Sequence, residues 1–244
     1  MTHIVIGYPN LETSKAMVKT MAEAGVDFIE LQIPFSDPVA DGPTISEANQ
    51  DSLNHQTSVK QSMELMTEMT KTIGIPLLFM TYFNIVFNYG VKEFCHDTRQ
   101  TGCSGLIIPD IPMEEENEER FIHHCEENNL IAIRSISPAS TDDRLRKNAA
   151  VAKGFVYFAG RKGITGSQTD LNPQLLENIE RVKKFFKIPV AVGFGISKPE
   201  HIKQLQGKAD VAVIGSALID VYNQADGDKI PAIKNYLRKL KQYD

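Results

Sequence analysis

Two acids with very different settings carry the first chemical signal. Glu30 lies inside the short apolar run Asp27–Leu31, and Asp41 follows it on a loop containing Pro34, Pro38 and Pro43. Prolines fix φ and remove backbone donors, so this loop is stiffer than its length implies. A carboxylate inside an apolar strand is costly unless it is paired or used. Singly, each acid has a structural explanation, Glu30 as the partner of a buried cation and Asp41 as part of a turn with Gly42. Together, on a strand and a stiff loop, they match the way a fold positions two acids for proton transfer.

Two later segments offer the opposite chemistry. Gly193-Phe194-Gly195-Ile196-Ser197 and Gly215-Ser216-Ala217 each follow an apolar run. Glycines at such turns let backbone N–H groups approach an anion, and a helix N-terminus adds a favourable dipole. Between the acids and these turns lies Tyr157, followed by the small, polar loop Arg161-Lys162-Gly163-Ile164-Thr165-Gly166-Ser167, which has the composition of a lid or of a plain surface loop. No lysine ends an apolar run as a Schiff-base former, which disfavours amine-based aldol chemistry. The G-x-G at Gly193 lacks the third glycine of a dinucleotide fingerprint.

The elements that must position these residues repeat from end to end. Strand-like runs cover His3–Ile6, Asp27–Leu31, Pro76–Met80, Gly105–Pro109, Ile131–Arg134, Gly154–Phe158, Pro189–Val192 and Val211–Ile214, each followed by a helix-length segment. Consecutive apolar positions fit parallel strands buried on both faces. Eight βα units predict an α/β fold, a (β/α)8 TIM barrel spanning 1–244 as a single domain, with an open doubly wound sheet as the runner-up. Ala16, Met17, Met21 and Ala24 share a helix face that ends at Gly25. The acids from Glu114 to Glu119 read as a helix's first turn after Pro112. Ile230, Ile233, Leu237 and Leu240 predict an amphipathic last helix. In such barrels the active site sits at the C-terminal strand ends, and phosphate sites recur after strands seven and eight.

Composition narrows the function. The chain has 244 residues and a net charge of -5, with 42% hydrophobic and 23% charged residues. A mildly acidic balance disfavours nucleic acid, and no apolar run approaches the roughly 20 residues that span a bilayer. Met1-Thr2-His3 leads directly into Ile4-Val5-Ile6, without a signal-like start, so a cytoplasmic location is expected. Cys95, Cys103 and Cys125 form no disulfide framework, and no metal is expected at Cys95-His96 or His123-His124-Cys125. The residues alone therefore predict a barrel enzyme that moves protons around a small phosphorylated substrate.

The block Glu30 to Pro43 closely resembles the signature of the tryptophan synthase α chain. Asn84-Ile85-Val86-Phe87, Pro109-Asp110-Ile111-Pro112, Gly163-Ile164-Thr165-Gly166, Gly193-Phe194-Gly195-Ile196 and Gly215-Ser216-Ala217 agree in the family's order across nearly the whole chain. The resemblance implies a carbon–carbon lyase, cleaving indole-3-glycerol phosphate to indole and glyceraldehyde 3-phosphate in tryptophan biosynthesis. It implies Glu30 as the proton-transfer residue and Asp41 as the residue that holds the indole N–H. Tyr82, Tyr157 and Thr165 match substrate-contacting positions; Gly166, Gly195, Gly215 and Ser216 match phosphate-binding positions. It also implies an α2β2 complex with a tryptophan synthase β chain that carries pyridoxal phosphate (PLP), with no cofactor in this chain. Pro34, Asp37 and Asp110 then lie at or near the partner interface. The remaining alternatives are another phosphosugar barrel enzyme and a weakly active barrel that mainly activates a β chain.

Two features depart from the family pattern. The family usually has glycine where this chain has Gln32, and strand alternation places 28, 30 and 32 on one face. Gln32 is therefore expected to reach the site and tune Glu30. Family members also usually begin with a helix that covers the barrel floor ahead of the first strand, and this helix is expected to be lacking here.

Overall fold

The computed structural model describes residues 1–159, 173–193 and 195–241. Strands and helices alternate as β1 (Thr2–Val5), α1 (Leu11–Glu23), β2 (Ile29–Gln32), α2 (Pro43–Asn54), α3 (Val59–Thr70), β3 (Leu77–Met80), α4 (Phe83–Tyr89), α5 (Val91–Gln100), β4 (Gly105–Ile107), α6 (Glu116–Glu119), α7 (Phe121–Glu127) and β5 (Ile131–Ile136). They continue as α8 (Asp142–Val151), β6 (Val156–Ala159), α9 (Pro173–Phe185), β7 (Val190–Gly193), α10 (Pro199–Leu205), β8 (Val211–Val213), α11 (Ser216–Gln224) and α12 (Lys229–Leu240).

The eight strands pair in parallel in chain order. A parallel bridge between Thr2 and Ile214 joins the first strand to the last. The His3 N–H donates to the Ile214 carbonyl at 2.9 Å, and the Ile214 N–H to the Met1 carbonyl at 3.0 Å. Closure satisfies both sheet edges, and the expected (β/α)8 barrel is what forms.

Alternation along each strand separates two apolar layers. Ile29, Leu31, Leu77, Phe79 and Leu106 face the helices. Leu78, Met80, Ile107, Ile133, Phe155, Ala191 and Val213 fill the barrel interior. Glu30 stands in register with His3 on β1 and Leu78 on β3, and Gln32 with Met80, so both polar side chains enter that interior. Among the outer helices, α12 packs on α1, buries Ile233, Leu237 and Leu240, and is tied by a 2.6 Å Lys234–Glu23 ion pair. Gly25 follows α1 at φ +81, a left-handed stop that suits glycine.

Some element boundaries differ from the sequence expectation. β4 pairs only from Gly105 to Ile107, and Pro109 beyond it has no N–H to donate to a ladder. β5 runs on to Ile136 because Arg134, Ser135 and Ile136 pair with β6. Gly154, at φ +71, lies outside β geometry, so β6 starts at Val156. The acidic run does not open one helix. Met113–Glu115 is a 3-10 turn, α6 is a single turn, and Arg120 breaks the run at φ 51. The Glu116 carboxylate then accepts the N–H groups of Ile122 (2.8 Å) and His123 (3.0 Å), capping α7 rather than its own turn. Cys95 and Cys125 meet in the core with sulfurs 3.8 Å apart, while His123 and His124 both turn to Glu127. Among the described residues no helix is long and apolar enough to cross a membrane.

Candidate active site at the barrel top

β2 delivers Glu30 into the barrel, where it is 2% exposed. The chain then leaves the barrel through the proline-containing loop to α2. Phe35 donates its N–H to Asn49 Oδ1 at 2.9 Å, and Asn49 Nδ2 donates to the Ile45 carbonyl. The Ala40 N–H donates to the Tyr82 hydroxyl at 3.1 Å, and Tyr82 stacks on Phe35 with ring centroids 5.3 Å apart. These ties fold the loop over the barrel mouth and bury Asp41 to 6% exposure. Asp41 accepts from Gln32 Nε2 at 2.7 Å and hydrogen-bonds the Tyr82 hydroxyl. Burial pushes the Asp41 carboxyl above the ordinary aspartate range, only partly opposed by charge on His3 and by these two hydrogen bonds.

Glu30, Asp41, Tyr157, Gly195, Gly215 and Ser216 line one cavity at the barrel top. Tyr157 reaches across it towards Gly193, where an added Cβ would lie 2.7 Å from the hydroxyl oxygen. Burial, then the charges of Glu30 and Asp41, raise the Tyr157 hydroxyl well above its ordinary pKa, so it stays protonated as a donor. Gly195 is left-handed at φ 59. Gly215 precedes α11 and Ser216 is its first residue, placing the N–H end of that helix on the cavity wall. Tyr82 is fully buried and holds the loop instead of lining the cavity. Thr165 and Gly166 lie outside the described residues.

The residues expected at a partner interface separate. Asp37 is exposed and accepts from Ser36 Oγ at 2.5 Å. Asp110 is exposed and accepts the Phe83 N–H at 2.8 Å, at the start of α4. Pro34 is buried under the loop.

Sequence reasoning passed over His3, which also lines the cavity. Its Nδ1 lies 3.4 Å from Glu30 Oε1, with both side chains at or below 5% exposure. The usable signal was a lone polar aromatic in the first apolar run, at the strand position that parallel pairing sets opposite Glu30. Gln32 points inward as alternation requires, but its hydrogen bond goes to Asp41, not to Glu30.

The family model of the tryptophan synthase alpha chain matches residues 1–243. The chain belongs to this family. The tryptophan synthase alpha chain of Syntrophotalea carbinolica is 41% identical over 241 residues, covering 99% of this chain and 93% of the relative. A mutant tryptophan synthase alpha-subunit structure from Pyrococcus furiosus superposes with TM-score 0.90 at 27% identity, covering 98% of this chain and 96% of that one. The structure of Mycobacterium tuberculosis tryptophan synthase gives 0.89 at 32% identity, covering 98% and 89%. The family's reaction is a carbon–carbon lyase step of tryptophan biosynthesis, cleavage of indole-3-glycerol phosphate to indole and glyceraldehyde 3-phosphate.

Proposed function

We propose that Glu30 and Asp41 carry this cleavage, with the phosphate held at the opposite wall by Gly195, Gly215 and Ser216 together with Gly166. The supporting observation is that both buried carboxyls share one cavity with the N-terminus of α11. Indole leaves only when C3 is protonated. Glu30, as the acid, gives its proton to C3. Its carboxylate then takes the proton of the neighbouring glycerol hydroxyl. The carbon–carbon bond breaks, its electron pair returns to the indolenine ring, and the hydroxyl carbon becomes the aldehyde. One proton leaves Glu30 and one returns. Protonation of C3 places positive charge on the ring nitrogen, which the Asp41 carboxylate stabilises while accepting the indole N–H. Tyr157 faces the charge of this acid, Thr165 is assigned to substrate binding by the family resemblance, and Tyr82 holds the loop that presents the acid. At the far end, the α11 dipole and the backbone N–H groups at its start suit a phosphate dianion.

In the same reading the chain works in the cytoplasm as the α subunit of an α2β2 complex, with PLP in the β chain. Asp37 and Asp110, on the loops after β2 and β4, face the β chain, with Pro34 buried at the base of the Asp37 loop. Val39, in this loop, is 74% exposed, an apolar side chain that a partner would cover. The test is indole release from indole-3-glycerol phosphate, with and without a β chain. Release that the β chain increases supports the reading. No release in either case overturns it, and β-chain stimulation without cleavage leaves only an activator.

A further inference from the structure

More polar groups stand at the cavity and behind it than the proposed reaction uses. His3 Nδ1 meets Glu30, and Gln32 Nε2 meets Asp41. Between these pairs stand a ring nitrogen, His3 Nε2, and an acceptor, Gln32 Oε1. Both are buried, and neither has a hydrogen-bond partner among the described residues. Orphans of complementary sense are rare in a folded interior, where a polar atom without a partner costs about 1–3 kcal/mol. They lie on adjacent strands, two register positions apart on the same face, and the Gln32 side chain favours the charged imidazole. Glu30–His3 and Gln32–Asp41 thus stand as two neighbouring pairs, with complementary unpartnered atoms on His3 and Gln32.

We propose that His3 is a positioning residue for the cleavage. It fixes Glu30 from the neighbouring strand, supplies the reserve proton of the pair, and is itself oriented by Gln32. The inference rests on the assignment of Glu30 as the proton-transfer group. The pair shares one proton. The Nδ1 proton passes to Glu30 Oε1, leaving neutral imidazole and a carboxylic acid that can protonate indole C3. After Glu30 takes the hydroxyl proton, that proton returns to Nδ1. The pair begins and ends with the same single proton, and no other reactant is needed.

The surroundings suit this role. The groups facing the imidazole are Glu30 from β2, Asp41 from the following loop and Gln32, with Tyr157 on β6 facing the same two carboxylates. Burial pushes the imidazole pKa down. Glu30, by charge and hydrogen bonding, and then Asp41 and Gln32 outweigh it, so the net shift is upward from 6.5. As pH rises through that raised value the pair loses its proton, and turnover should fall.

The decisive experiment compares wild type with His3→Gln and His3→Leu in complex with a β chain. Because the pair acts in the chemical step, kcat should fall about 10-fold or more while KM stays within about 2-fold, and the alkaline limb that His3 imposes should vanish. Unchanged kcat with the same limb overturns the proposal. Should the variants not fold, imidazole NMR of the wild type decides. One of the six histidines should titrate above the ordinary range and move to lower pH in Glu30→Gln. No histidine moving in that variant also overturns it. An inactive wild type would instead count against the assigned reaction, leaving the NMR result to judge the pair.

Discussion

The Gln32 amide donates to the Asp41 carboxylate at 2.7 Å, joining the last residue of β2 to the far end of the loop that follows it. Both groups are buried. The bond therefore does two things. It fixes the orientation of an acid carried on a loop, and it offsets part of the burial that raises that acid's pKa.

Replacing Gln32 with Leu keeps the side chain's bulk and removes the donor. The Asp41 carboxyl then rises further, and a larger share of it is neutral at any given pH. Activity loss should deepen as pH is lowered, with the acid limb of kcat/KM moving to higher pH. An acid limb that stays in place in the purified variant would show that the bond does not tune Asp41.

Glu30→Gln preserves shape and removes the transferable proton. General acid–base catalysis contributes about 10²- to 10⁴-fold, so indole release should fall by at least that range. The thermal transition should stay within a few degrees, roughly 1 kcal/mol on the scale for a chain of this size. Near-normal turnover would remove Glu30 from the mechanism.

The barrel and most of the site were legible in the sequence because they rest on local signals. Apolar runs at regular intervals gave the strands. The Glu30–Pro43 block gave the acids, and the Gly215-Ser216 turn gave the N-terminal end of α11. What stayed hidden depends on register and on distant ties. His3 becomes meaningful only once β1 pairs with β2 and sets it opposite Glu30. Tyr82 hydrogen-bonds Asp41 and accepts the Ala40 N–H, the latter a contact across 42 positions. The acidic run after Pro112 misled because composition could not reveal the left-handed break at Arg120.

Gly193→Ala tests how tightly Tyr157 is held. The new methyl would meet the Tyr157 hydroxyl oxygen at 2.7 Å and two ring carbons at 2.9 and 3.0 Å. No real Cβ tolerates such contacts, so Tyr157 must turn away from its place over the acids. Overpacking of this kind costs about 1–3 kcal/mol. Both the unfolding temperature and indole release should drop. Tyr157→Ala in the same chain should recover stability but not activity. A Gly193→Ala chain as stable and active as wild type would mean that the ring has room to move.

Asp41→Asn should separate stability from function. Burial raises the folded-state pKa of Asp41 above its ordinary 3.8. A carboxyl shifted in this direction stabilises the fold below its unfolded pKa, and that contribution is lost as pH rises through the folded value. Above that window the chain holds a buried charge that only hydrogen bonds and His3 partly compensate. Asparagine is neutral, and its side-chain oxygen can still accept from Gln32. The variant should therefore lose indole release while melting at an equal or higher temperature near neutral pH, where each kcal/mol is worth about 2–4 °C. The advantage should shrink as pH falls towards the unfolded pKa, because wild-type Asp41 is then protonated too. Scanning calorimetry across that range checks the sign. A variant that melts lower than wild type at neutral pH and recovers on acidification would mean that the charged form of Asp41 supports the fold, contrary to its burial.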